Sequence, residues 1–358
     1  MPTEVSPTTA STTSSKPIDD GHPQPPSSTA RQSAPSDHRP SAGALLSTTA
    51  LFLWLAYLVI VVALPQADLL RKESTAPVAV LAGTWLIALI AWTLTARVRP
   101  ARPAARSLAH FLPWINAAGA WFIVWQLTTS KLGLLTPPYF AAPEVLIASF
   151  LGDWRLLLSC LGASALLFII GYTAGSVLGF FTGLLMGWSR RADYWLHPLL
   201  QTIGPVPAAS LLPLALLLLP TTYASAAFIV GFGAWFPMAT MTRAGIRSVR
   251  RDYIDMARTL GADELFLIRR VAVPSALPDM LTGLFTGLGT SLAALMTAEL
   301  TGVDKGLAWY INWVKGWADY PRMYVGLIIL VTFCRTLMVM LFKIRSSLLA
   351  WQQNLVRW

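Results

Sequence analysis

Few side chains in this chain of 358 residues are placed to do chemistry. The four histidines, at positions 22, 38, 110 and 197, are scattered, and neither Cys160 nor Cys334 has a cysteine or histidine at metal-ligand spacing. Both cysteines fall inside apolar runs and read as free, packed thiols, so the pattern gives neither a disulfide framework nor a metal site. No Gly-x4-Gly-Lys-Ser/Thr phosphate loop occurs, and the chain therefore carries no recognisable ATP-hydrolysing site. Three charged positions stand out instead. Asp255 lies in a basic stretch around Gly261, Glu299 closes an apolar run, and Arg335 sits deep inside another. An uncompensated arginine at membrane depth costs at least about 2.5–3.5 kcal/mol. Arg335 either snorkels toward the nearer surface or turns into the bundle, where it attracts an anion or pairs with a carboxylate. Glu299 reads as a structural cap, an interface charge or a gate.

The elements that must position these residues are membrane spans. Hydrophobic residues make up 55% of the chain and charged ones 12%, with a mean hydropathy of +0.56. A soluble domain carries about twice that charged fraction, and a bilayer takes roughly 20 apolar residues per helix. Residues 1–42 are rich in Ser, Thr and Pro and hold no apolar run, which predicts a disordered tail rather than a signal peptide. Eight spans follow: Leu45–Leu64, Ala76–Ala96, Phe111–Thr129, Leu156–Trp188, Leu199–Leu219 with Pro205, Pro207 and Pro213 inside it, Ser225–Met241, Met280–Ala298 and Tyr324–Phe342. With the N-terminus inside and strict alternation, the inner segments hold 19 Lys and Arg and the outer ones 7. That asymmetry places both termini in the cytoplasm. It also accounts for the net charge of +10 without nucleic acid as a partner.

Two small-residue faces occur. Gly171, Gly175, Gly179, Gly183 and Gly187 recur every fourth residue of the fourth span, and Gly283, Gly287, Ser291, Ala294 and Ala298 line the seventh. Such ridges let backbones approach closely. Packing is one reading, and sliding of these two spans on each other beside a pathway is the other. Trp309, Trp313 and Trp317 would share one helix face, suited to the membrane interface or to a substrate entrance.

The longest inner loop, about Thr242–Pro278, holds Asp252-Tyr-Ile-Asp255-Met-Ala257-Arg-Thr-Leu-Gly261 and then Val271-Ala-Val-Pro274. Ile254, Ala257 and Leu260 form one apolar stripe, and Leu265, Ile268 and Val271 a second. A glycine between two amphipathic stretches predicts a helix–Gly–helix elbow on the basic side of the membrane. This elbow resembles the EAA loop of ABC importer permeases: Glu-Ala-Ala, three residues, Gly, nine residues, Ile-x-Leu-Pro. Asp255, Met256 and Ala257 stand at the first three positions, and Gly261, Val271, Val273 and Pro274 keep the spacing without a gap. The departures are Asp for Glu, Met for Ala, and Val at both aliphatic positions. Ala298-Glu299, Gly306–Ile311, Pro143-Glu144-Val145 and His197-Pro198 look like the nitrate, sulfonate and taurine branch of these permeases.

The resemblance covers roughly 108–352 and implies an all-α, six-span type I permease core, with a coupling loop at 243–278. Residues 43–107 would then add two further spans and a basic linker. It also implies a bacterial inner-membrane transport subunit rather than an enzyme, with no cofactor of its own. ATP would act through two separate ATPase subunits, beside a second permease copy and an extracytoplasmic solute-binding protein, importing a small anion such as nitrate, a sulfonate or taurine. The alternative is an ion-coupled secondary transporter. It would want carboxylates or histidines deep in the spans, whereas Asp279 and Glu299 lie only at span ends.

Overall fold

In the computed structural model of the chain, residues 39–66, 74–98 and 103–349 are described. All but the last four residues of the tail expected to be disordered lie outside that set. Residues 39–42 already belong to the first helix. Among the described residues every regular element is helical. The helices are α1 (Arg39–Ala63), α2 (Ala76–Val98), α3 (Pro103–Gln126), α4 (Pro143–Trp188), α5 (Arg190–Ile203), α6 (Leu212–Leu218), α7 (Thr222–Arg247), α8 (Arg251–Thr259), α9 (Glu264–Phe266), α10 (Val273–Thr301), α11 (Leu307–Gly316) and α12 (Tyr320–Leu348).

Among the described residues six segments are long and apolar enough to cross a membrane: those of α1, α2, α4, α7, α12 and the run Glu264–Thr301. The expected fifth span is a pair of helices bent by 91°, and counting it as one span gives seven. The expected third span forms as α3, but His110, Asn116 and Gln126 dilute its apolar run and it is not among the six. Helix α4 has 46 residues. At 1.5 Å per residue it is about 69 Å long, more than twice a hydrocarbon core of about 30 Å. Pro143 and Glu144, expected ahead of the fourth span, form its first turn.

Lipid is as apolar as leucine, so helices in a membrane associate by close packing rather than by escape from water. The core follows that rule. Helix α7 lies between α4 and α10, and Phe168, Ile229, Val230, Leu288 and Leu295 fill the buried centre. A second cluster packs Leu157, Cys160, Leu307 and Tyr310 around α11. Both cysteines are free, as expected. Helices α1 and α2 pack on α3 through Trp54, Tyr57, Val78, Leu86 and Phe122. Polar ties add to this contact: Lys131 Nζ donates to Val61 O (3.0 Å) and Leu64 O (2.6 Å), and Trp54 Nε1 to Ile115 O (3.3 Å). Where water is scarce, each such tie satisfies a group that would otherwise be left unpaired.

Candidate functional site

The stretch after α7 folds into the expected elbow, with one difference. Helix α8 ends as Gly261 takes φ +85°, a left-handed conformation that L side chains rarely adopt. Gly261 N donates to Arg258 O (2.9 Å) and Ala262 N to Ala257 O (3.1 Å), satisfying the last carbonyls of α8. Asp263 then caps the second arm, its carboxylate accepting from Phe266 N at 3.0 Å. That arm is not a separate short helix. It runs from α9 through a π-helical stretch, Leu267–Ala272, straight into α10. Pro274 has no N–H and crowds the carbonyl four residues back, at Arg270, and the wider π turn makes room there. The loop expected over 243–278 is thus helical almost throughout. The second stripe also shifts: Leu267 and Ala272 are buried, while Leu265 is 52% exposed.

Across the elbow Arg258 pairs with Glu264 at 2.9 Å, and Trp188 Nε1 at the end of α4 donates to the same carboxylate at 3.1 Å. The bend and the base of α4 are thereby joined. Asp255 is exposed and Ala257 and Val271 are half-buried, while Pro274 is exposed in the first turn of α10. Met256, Leu260 and Phe266 are 61%, 83% and 49% exposed. Leu260 and Phe266, with Ala257, Gly261, Ala262 and Asp263, line a groove of about 390 Å³.

The small-residue faces do not meet each other. A Cβ on Gly171, Gly175, Gly179 or Gly183 would strike α7, at Ala227 O, Gly231, Trp235 O and Ala239 O. Gly283 and Gly287 of α10 face α7 at Pro237, Met238 and Ala234, and Ser291 Oγ donates to Val230 O at 2.9 Å. Two smooth faces pack on one helix, meeting its backbone at Ala227, Gly231, Ala234 and Ala239 and the first side-chain carbons of Val230, Met238 and Thr242 between them. Of the two readings of these faces, close packing is what the structure displays, each face against α7.

Beside α7 the chain breaks at Gly204, whose added Cβ would run into the Phe236 ring. The break, Phe232, Phe236, Thr286, Thr290 and Thr297 line a cavity of about 450 Å³. Pro205 and Pro207 of the break were singled out from sequence, whereas Gly204, Phe232, Phe236 and the threonines were not, although Thr282, Thr286 and Thr290 recur every fourth residue and so share a face.

Glu299 is 1% exposed and fastens the opposite end of the bundle. Its Oε1 accepts from Ser164 Oγ (2.5 Å) and its Oε2 from Ala308 N (2.8 Å), while Ser164 Oγ accepts from Leu307 N (2.8 Å). One carboxylate therefore ties α4, α10 and the first turn of α11. Tyr310 of α11 donates to Asp153 Oδ2 at 2.8 Å, and burial, then that bond, push its phenol above the ordinary tyrosine range. Trp309 and Trp313 stack with ring centroids 5.9 Å apart, and Trp317, at the helix end, is 76% exposed. Glu144 forms a second buried carboxylate, accepting from Gln126 Nε2 and from Ser130 Oγ. Arg335 is exposed on α12 and makes no ion pair among the described residues.

A multi-span helical membrane protein with a projecting helix–glycine–helix loop is the class these features define. Residues 175–349 match the family described as binding-protein-dependent transport system inner membrane component. A permease of Escherichia coli (strain K12) named for the transport of aliphatic sulfonates is 31% identical over 182 residues, covering 49% of this chain and 67% of that protein. Its namesake in Bacillus subtilis (strain 168) is 30% identical, over 43% of this chain and 56% of that one. A formylaminopyrimidine transport permease of Halalkalibacterium halodurans is 27% identical, over 43% of this chain and 62% of that protein. The chain belongs to this family of ABC permeases, in the branch that holds the sulfonate and nitrate permeases.

Proposed function

We propose that the chain is the membrane-spanning permease subunit of an ATP-driven importer for a small anion, with its elbow as the part that receives force. Its organisation is a core over residues 108–352, preceded by two additional spans and a tail. Counting α3 and the bent pair gives eight spans, with both termini in the cytoplasm of a bacterial inner membrane. A second permease copy, two ATPase subunits and an extracytoplasmic solute-binding protein complete the assembly. ATP is bound and hydrolysed in the ATPase subunits. The two relatives named for aliphatic sulfonates support a sulfonate or a similar oxyanion as the solute.

The observation that carries this reading is the elbow itself. It exposes Met256, and it presents Leu260 and Phe266 around a groove that no other described residue lines beyond Ala257, Gly261, Ala262 and Asp263. Asp255, Met256, Ala257 and Gly261 form the docking arm, and Val271 and Pro274 lead the push into α10. From there it reaches the cavity at the Gly204 break, which borders the pathway together with the Thr286 and Thr290 hydroxyls. Gly171, Gly175, Gly179, Gly183, Gly287 and Ser291 hold α4 and α10 close to α7 so that the three move together. Glu299 fixes the outer closure, and Arg335 offers a positive charge to a neighbouring element or anion.

The test is co-purification with the ATPase subunit of the same transporter. Gly261→Pro and Asp255→Arg are expected to abolish uptake and ATPase retention while membrane insertion stays intact. Normal uptake by both variants would remove the elbow from the mechanism.

A further inference from the structure

At the root of the elbow a cleft of about 540 Å³ opens between the end of α4, the end of α7 and α8. Its floor is apolar, with Met186, Ile246 and Val249, and its wall carries Arg190, Arg247, Arg251 and Arg258 against the carboxylates of Asp255 and Glu264. The nearby carboxylates are mostly engaged. Asp193 holds Arg243 (2.5 Å) and Arg247 (3.1 Å), Glu264 holds Arg258 (2.9 Å), and Asp252 holds Arg250 (3.1 Å). Arg190 and Arg251 make no ion pair among the described residues, and each is the first residue of a helix, α5 and α8. Helix starts carry the positive end of the dipole, where a cation is disfavoured and an anion favoured. Arg190 and Arg251 are exposed and line one cleft in which four guanidiniums face two carboxylates, so the cleft keeps a net positive charge although Asp255 stands in it without an ion pair among the described residues.

We propose that this cleft is a binding site for an oxyanion of the phosphate or sulfate class, held by Arg190 and Arg251. The planar guanidinium fork matches such oxygens with paired, charge-assisted bonds. Two sources carry this chemistry: the headgroup of an anionic phospholipid in the adjoining leaflet, and a free anion in solution. Because the cleft touches Trp188, Arg258 and Glu264, which brace the elbow against α4, an occupant would stiffen the joint between loop and bundle. The cleft shares α8, and Asp255 itself, with the docking arm of the proposed transport function, but anion binding is read on the chain without its ATPase subunit.

The experiment uses the purified full chain in detergent. Inorganic sulfate and phosphate are titrated against chloride at matched ionic strength, reading the thermal unfolding midpoint. In parallel, retained lipid is weighed by native mass spectrometry after exposure to phosphatidylcholine vesicles with and without phosphatidylglycerol. The site predicts a saturable rise in midpoint with sulfate or phosphate, selective retention of phosphatidylglycerol, or both, according to the source. The double variant Arg190→Gln/Arg251→Gln, which breaks no ion pair among the described residues, weakens binding by about tenfold or more. Lys305→Gln/Lys315→Gln, an equal charge change at the other end of the bundle, leaves it unchanged. Flat responses of the wild type in both arms overturn the proposal without any variant. Equal weakening in the two double variants overturns it too, and so does loss of ATPase-subunit association with anion binding intact, which would assign the arginines to a protein contact.

Discussion

At Gly175 the backbones of α4 and α7 come so close that an added methyl group would occupy the place of Gly231. Overpacking a well-filled site costs about 1–3 kcal/mol, and more where the obstacle is backbone that cannot rotate away. Gly175→Val is expected to lower the thermal unfolding midpoint of the detergent-purified protein sharply. Gly162→Ala on the same helix, with nothing within 4 Å of the new methyl, should leave it unmoved. Equal midpoints for the two would refute the close crossing. Gly261 is a different case: an added Cβ there has open space, and the obstacle is its φ of +85°. A left-handed conformation costs an ordinary L residue about 1–2 kcal/mol, and Asn less. Uptake by the assembled transporter should therefore fall in the order Gly, Asn, Ala, Val at this position. Val performing as well as Asn would contradict the conformational account.

Among the elements, α11 has the most specific attachment. Its first two backbone amides end on Ser164 and Glu299, two residues that also bond each other across 135 positions of sequence. Leaving a buried donor unsatisfied costs about 1–3 kcal/mol. Ser164→Ala and Glu299→Gln should each lower stability by roughly that amount, and the double variant by less than the sum, since both cut one network. Hydrogen exchange at Leu307 and Ala308 should rise in both single variants; unchanged protection would mean α11 is held by packing alone. Nothing in the sequence near Glu299 discloses Ser164, so a gate, an interface charge and a cap stayed equally open until the fold joined them. The elbow was legible because its signal is spacing along one chain: a glycine at the turn and aliphatic residues and a proline at fixed distances. The glycine ladder was legible only as a smooth face. A period of four residues says that a neighbour approaches closely, and the choice of α7 rather than α10 comes from tertiary packing. The prolines of the fifth predicted span signalled an interruption, but its 91° bend accompanies Phe236 lying where a Gly204 side chain would go.

For the molecule as a whole, hydropathy placed a span within each long helix of the described residues but missed the more polar starts of α3 and of α4, residues 103–110 and 143–155, because length and apolarity are what a bilayer selects. It could not show that α1 and α2 form a satellite layer on α3, anchored by Trp54 and Lys131. Trp54 is 8% exposed, and Trp54→Ala, at a cost of about 3–5 kcal/mol, should make α1 more accessible to protease while the α4–α7–α10 core stays protected. Cleavage spreading through all helices at once would mean that the layers are not separable. The broadest claim is that motion of the bundle is driven through the elbow by another polypeptide. Reconstitution in liposomes tests it most directly: the purified chain alone, then with its ATPase subunit, binding protein and ATP inside, measuring uptake of a radiolabelled alkanesulfonate. Uptake only in the complete, ATP-loaded vesicles is the predicted result. Solute movement by the chain alone, without nucleotide or companion, would contradict it.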